Sequence, residues 1–141
     1  MAAGPPAWLL PGPPPPAFAT DERCTITEIL NAAACPQVSL ALAEVAPGVT
    51  TRLHAVAETL EVYVILRGRG VAEVDGVAAA VGPGDRVVIP VGAPQRIANV
   101  GTEPLAFHCL CTPRFAQANY RDLGDPDAEA LARVGRSSPD G

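Results

Sequence analysis

The sequence predicts an all-β barrel or sandwich, and three observations carry that prediction. Between Cys24 and Cys111, short apolar runs recur at even spacing, each closed by Gly or Pro. One pair of runs flanks Asp75-Gly76, a strong short-hairpin signal. The chain has 141 residues, 48% apolar and 18% charged, which suits one folded domain with a real core.

Taken in order, residues 1–20 hold seven of the sixteen prolines. Proline fixes φ and lacks an N–H, so this arm is expected to be a loose, polyproline-like extension. Trp8-Leu9-Leu10 and Phe18 offer it docking groups. The barrel is expected over 21–115. Cys24 to Leu30 alternates weakly as a first strand. Val38 to Val45 is Ala-rich, but Pro47-Gly48 closes it and a β-type run follows, so it reads as strand. Leu60 to Leu66 is β-branched and aromatic. Arg67 to Gly70 turns the chain. Val71 to Val74 and Ala78 to Val81 form the hairpin, Gly82 to Asp85 turns again, and Arg86 to Ile89 follows. After Pro90 to Pro94 come Gln95 to Val100 and, past Gly101 to Pro104, Leu105 to Cys111. Beyond Pro113 the pattern changes, and 116–141 reads as a tail. Asp127 to Val134 predicts a short helix with Asp125 as N-cap and Gly135 after its end. Ser137 to Gly141 is expected to fray, while Phe115 and Tyr120 dock the tail.

Composition excludes several functions. Ten cations against fifteen acidic groups give a net charge of −5, and no basic run stands out. A nucleic-acid or anionic-membrane partner is not expected. All ten cations are Arg, which excludes a Schiff-base lysine and a P-loop lysine. Two histidines, His54 and His108, cannot supply a three-histidine metal site. Cys24, Cys35, Cys109 and Cys111 lack zinc spacing and read as reduced thiols of a cytoplasmic protein. The proline-broken N-terminus is a poor signal peptide, and no apolar run is long enough to span a membrane.

Two stretches carry a family likeness. Gly48-x5-His54-x6-Glu61-x6-Gly68 followed by Gly84-x5-Pro90-x-Gly92-x2-Gln95-x3-Asn99 resembles the paired motifs of single-domain cupins. The likeness covers about residues 24 to 115 and implies a double-stranded β-helix, or jelly-roll barrel, usually dimeric. It also implies a site in the barrel mouth. Strand parity supports such a site: Glu61, Tyr63 and Ile65 share one face, as do Gln95, Ile97 and Asn99. His54, Glu61 and Gln95 are then the candidate metal ligands, with His54, Glu61 and Tyr63 as candidate catalytic groups.

The chain departs from the pattern at two positions, with Val56 and Gln95 where metal-binding cupins usually carry histidine. An imidazole, a carboxylate and an amide suit Mn²⁺, Fe²⁺ or Zn²⁺ at modest affinity. Glu61 buried in an apolar run needs a metal, a substrate donor, or Arg52 or Arg96. Asn99 is expected to satisfy turn backbone, and His108 to serve the core or an interface. Cys109 and Cys111 read as packing thiols. The resemblance implies a small-molecule ligand or substrate. Three functions stay open: a metal-dependent enzyme of dioxygenase, isomerase, lyase or cyclase type acting on an oxygen-rich substrate; a metal-free acid–base isomerase; and a non-catalytic binding barrel. The apolar outer face Val62, Val64, Leu66 predicts a homodimer.

Overall fold

A computed structural model describes residues 4–136. Eleven strands, one short 3-10 helix and one α-helix follow in order: β1 Phe18–Ala19, β2 Thr25–Leu30, β3 Ser39–Val45, β4 His54–Val56, β5 Leu60–Arg67, β6 Gly70–Val74, β7 Val77–Val81, β8 Arg86–Ile89, β9 Gln95–Asn99, β10 Leu105–Thr112, the 3-10 helix Gln117–Asn119, β11 Tyr120–Asp122 and α1 Ala128–Arg136. They form two antiparallel sheets, ordered β1-β2-β3-β10-β5-β8 and β11-β4-β9-β6-β7. This is the expected jelly-roll barrel with a short C-terminal helix.

Local chemistry places the strands. In β5, Glu61, Tyr63 and Ile65 are buried while Val62 and Val64 are half-buried and Leu66 is exposed, so the period-2 pattern sets which face turns in. Asp75 (φ 53°) and Gly76 (φ 82°) both take left-handed backbone between Val74 and Val77, as a tight type I′ hairpin requires. Gly68 (φ 90°) ends β5 where a Cβ would lie 2.7 Å from the Pro104 carbonyl oxygen, so only glycine fits. Between the sheets, Val45, Ile65, Ile89, Ile97, Leu105 and Phe107 make the core.

The structure alters several expectations at the two ends of the chain. The Pro-rich arm is not wholly loose, because Phe18–Ala19 pairs with Thr25 and Ile26 of β2. Trp8 remains exposed. A strand not expected from sequence, β11, pairs with β4 at Tyr120↔Val56 and Asp122↔His54. Asp125 does not cap α1, since it pairs with Arg23 at 2.8 Å. Asp127 does the capping, and its Oδ1 accepts the Ala130 N–H at 3.2 Å. Gly135 lies inside the helix rather than past its end. It is buried against Val71 and Val100, and a Cβ there would meet Val71 Cγ2 at 2.6 Å. Its missing side chain lets α1 lie close on the outer face of the second sheet, with Leu131 over Val71 and Ala98. The expected frayed tail, Ser137 to Gly141, lies outside the described residues. Among the described residues, no helix is long and apolar enough to cross a membrane.

Candidate functional site in the barrel cavity

One cavity of about 830 Å³ opens between the sheets. Its walls carry His54, Glu61, Tyr63, Cys109 and Cys111 from the barrel, and Glu22 from the segment before β2. Strand parity brings these groups inward, and register decides which of them touch. Cys111 stands opposite Glu61, and Cys109 opposite Tyr63, across the β10–β5 pair. His54 stands opposite Gln95 across β4–β9.

Glu61, Gln95 and Tyr63 form one buried chain of hydrogen bonds. The Gln95 amide donates to Glu61 Oε1, and the Tyr63 hydroxyl donates to Gln95 Oε1. A carboxylate can only accept, so the direction of the whole chain is fixed. The other oxygen, Glu61 Oε2, faces Cys109 Sγ at 3.1 Å and Cys111 Sγ at 3.6 Å. Neither arginine offered by the sequence reaches Glu61. Arg52 is bound to Asp122 at 3.1 Å and Arg96 to Glu73 at 2.9 Å. Burial, the Glu61 charge and further negative neighbours hold the Tyr63 phenol well above its ordinary value. Cys109 is raised as well, first by Cys111, then by burial and Glu61.

His54 belongs to the same cavity but to a different cluster. Its Nδ1 lies 2.9 Å from the Arg52 carbonyl oxygen and 3.5 Å from Glu22 Oε2, and its ring stacks on Tyr120 at 5.2 Å. The Arg52 carbonyl can only accept, so Nδ1 carries the proton and Nε2 keeps its lone pair in the neutral ring. Burial and then Glu22 raise the Tyr120 phenol, and the same two causes push the Cys24 thiol up to about 12. Asn99 fulfils its expected backbone role, its amide donating to Val45 O and Glu103 O, both at 2.8 Å.

The three ligands named from sequence therefore meet only in part. Glu61 and Gln95 touch, while His54 is turned toward Glu22. As arranged, they do not fit a metal. Gln95 presents amide protons to Glu61, and its carbonyl oxygen is taken by Tyr63. For Gln95 itself to ligate an ion beside Glu61, its amide would have to turn over and release the phenol. Cys109 and Cys111, read from sequence as packing thiols, instead stand at the cavity wall with their sulfur atoms 3.9 Å apart. Their pairing with Glu61 is non-local, and only the fold supplies it. Glu22 carried no signal beyond its charge.

Comparison with known proteins agrees with this architecture. The cupin-domain family model, Cupin_2, matches residues 41–111. The uncharacterized protein MJ1618 of Methanocaldococcus jannaschii is 34% identical over 108 residues, covering 75% of this chain and 86% of that one. Among solved structures, Streptomyces PAC13 with uridine superposes with a TM-score of 0.69 at 14% identity, over 82% of this chain and 88% of that one. KdgF from Halomonas sp. gives 0.65 at 14% identity over 73% and 90%. A predicted oxalate decarboxylase from Thermotoga maritima gives 0.63 at 23% identity over 71% and 92%. Such low identities speak for the fold alone. The family match spans half of the sequence and makes this chain a member of the cupin family.

Proposed function

We propose that this cupin is an enzyme that binds a small, oxygen-rich molecule in the barrel cavity and moves a proton on it, in an isomerase or lyase type of reaction. The observation that carries the reading is the state of His54. Its Nδ1 proton is committed to a backbone carbonyl, so Nε2 is the free base of a cavity-lining imidazole. Glu22 Oε2 lies 3.5 Å from the same Nδ1 and helps to fix the orientation of the ring. Glu61 supplies an anionic pole that accepts hydrogen bonds from the substrate's hydroxyl groups. Tyr63 and Gln95 act through Glu61 and are positioning residues. Apolar Ile26, Ala43 and Phe107 line part of the wall, and Glu28, Asn31 and Arg114 add polar groups to it. The same fold carries a nucleoside dehydratase, Pac13, so a barrel of this type has room for such chemistry.

The test is exchange of substrate carbon-bound hydrogen in D₂O, read by NMR, over a panel of sugar acids, nucleosides and keto acids. Exchange should occur with the wild type and fall by about 100-fold or more in His54→Gln, without a fall in thermal midpoint. Ligand-induced stabilisation with no exchange for any compound would make the protein a binding barrel instead.

A homodimer through the six-stranded sheet is also proposed. Across β3, β10, β5 and β8 the outer face aligns Leu40, Leu110, Val62 and Val88 in one row, with Leu42, His108 and Val64 beside it. Val88 is 61% exposed. The other sheet has α1 over its outer face, and this one has no such cover among the described residues. Gel filtration should give a dimer for the wild type and a monomer for Val88→Glu. A wild-type monomer at micromolar concentration would refute the assignment.

A further inference from the structure

Glu61 is a 4%-exposed carboxylate whose hydrogen-bond partners are an amide and two thiols. Thiols are weak donors, so they compensate a buried negative charge poorly. Taken as ligands, Glu61, Cys109 and Cys111 form a compact trio whose donor atoms all lie within 4.8 Å of one another. A tetrahedral zinc ion, with Zn–S about 2.3 Å and Zn–O about 2.0 Å, places two sulfurs about 3.8 Å apart and each sulfur about 3.5 Å from the oxygen. In the barrel those separations are 3.9 Å between sulfurs, and 3.1 and 3.6 Å from sulfur to oxygen. The backbone already holds them there: Cys109 and Cys111 are two apart on one strand and share its inner face, and Glu61 is the cross-strand partner of Cys111.

We propose that Glu61, Cys109 and Cys111 form a site for a thiophilic divalent cation, with zinc the best geometric match. The motif positions would centre an ion on residues 54, 56, 61 and 95. Val56 offers no donor and Gln95 is engaged with Tyr63, so the ion moves toward β10 and keeps only Glu61 of that set. Three protein ligands at a cavity wall leave a fourth position for water or a substrate oxygen, as in zinc sites that act on substrates. Loading replaces two S–H bonds by two S–metal bonds, so the ion enters and two protons leave to solvent. The inference rests on the proposed function only in giving the Glu61 end of the cavity to the substrate's oxygens.

Cobalt(II) titration of the full-length, untagged protein, stripped with chelator under reducing conditions, tests this. One Co²⁺ per chain should bind with a sulfur-to-cobalt charge-transfer band and tetrahedral visible bands. Zn²⁺ should displace it, and two protons should be released per ion. Cys109→Ser and Cys111→Ser should each weaken binding by at least 10–100-fold and lower the charge-transfer intensity. Cys109→Ala is the alternative if a serine variant misfolds. Glu61→Gln should weaken binding but keep the charge-transfer band, and His54→Gln should keep both. No stoichiometric uptake of Co²⁺ or Zn²⁺, or a band unaltered in both cysteine variants, would overturn the site. Loss of binding in His54→Gln with retention in the cysteine variants would also overturn it. Hydrogen exchange that survives with no metal uptake would sink this inference and leave the proton-transfer reading standing.

Discussion

Replacing Arg96 by Ala is expected to cost about 3–5 kcal/mol of stability, or roughly 10–15 °C in thermal midpoint. Arg96 is 6% exposed. Its Nε and Nη2 donate to Glu73 Oε2 at 3.0 and 2.9 Å, and its Nη1 donates to the Pro126 carbonyl at 2.5 Å. Truncation leaves a mostly buried Glu73 carboxylate uncompensated and a backbone carbonyl without its donor. The damage should also reach the site. Gly124, two residues before Pro126, accepts from the Leu53 N–H next to His54. Urea unfolding of the single variants and of an Arg96→Met, Glu73→Leu pair measures this. The double variant should recover most of the loss, because removing both charges leaves no orphan. A loss below about 1 kcal/mol in Arg96→Ala would mean that this pair does not anchor the C-terminal segment.

Glu61→Gln is expected to do the reverse: to stabilise the protein while removing its function. Burying a carboxylate costs several kcal/mol, and its partners here are one amide and two weak thiol donors. In chelator, the amide variant should unfold at a higher temperature than the wild type, by about 1–2 kcal/mol of stability. With free zinc at 100 times the wild-type Kd, the wild type gains about 2.7 kcal/mol that the variant largely lacks, so the order inverts. Calorimetry with and without zinc reads both values. A variant less stable than the wild type in chelator would show that the hydrogen bonds of Glu61 outweigh its desolvation.

Where a feature depends on neighbouring residues, it was legible in the sequence. The Asp75-Gly76 turn and the in–out alternation of Glu61, Val62, Tyr63 and Val64 need nothing beyond local sterics and burial. The jelly roll followed from motif spacing. Features that depend on register were not legible. No local rule pairs Cys111 with Glu61, or sets Tyr120 and Asp122 beside His54. Arg96 follows Gln95 on a strand, so with Gln95 pointing in, Arg96 points out and cannot serve Glu61. The helix ends misled for a different reason. Asp125 and Asp127 both have cap chemistry, and only tertiary contact gives the first to Arg23. Gly135 resembles a stop signal but is a packing residue, required where the helix crosses Val71 and Val100.

His54 sits on a barrel strand, yet its immediate surroundings are borrowed from the extremities of the polypeptide. Glu22 arrives ahead of the family-matched region 41–111, and Tyr120 arrives after it. A minimal barrel trimmed to that region would retain the carboxylate and both thiols, but its imidazole would lose the anion at one nitrogen and the ring beneath it. In this protein, then, the aim of the histidine is set by sequence outside the family-matched region, and exchanging those flanks would re-aim it without touching a single residue within that region.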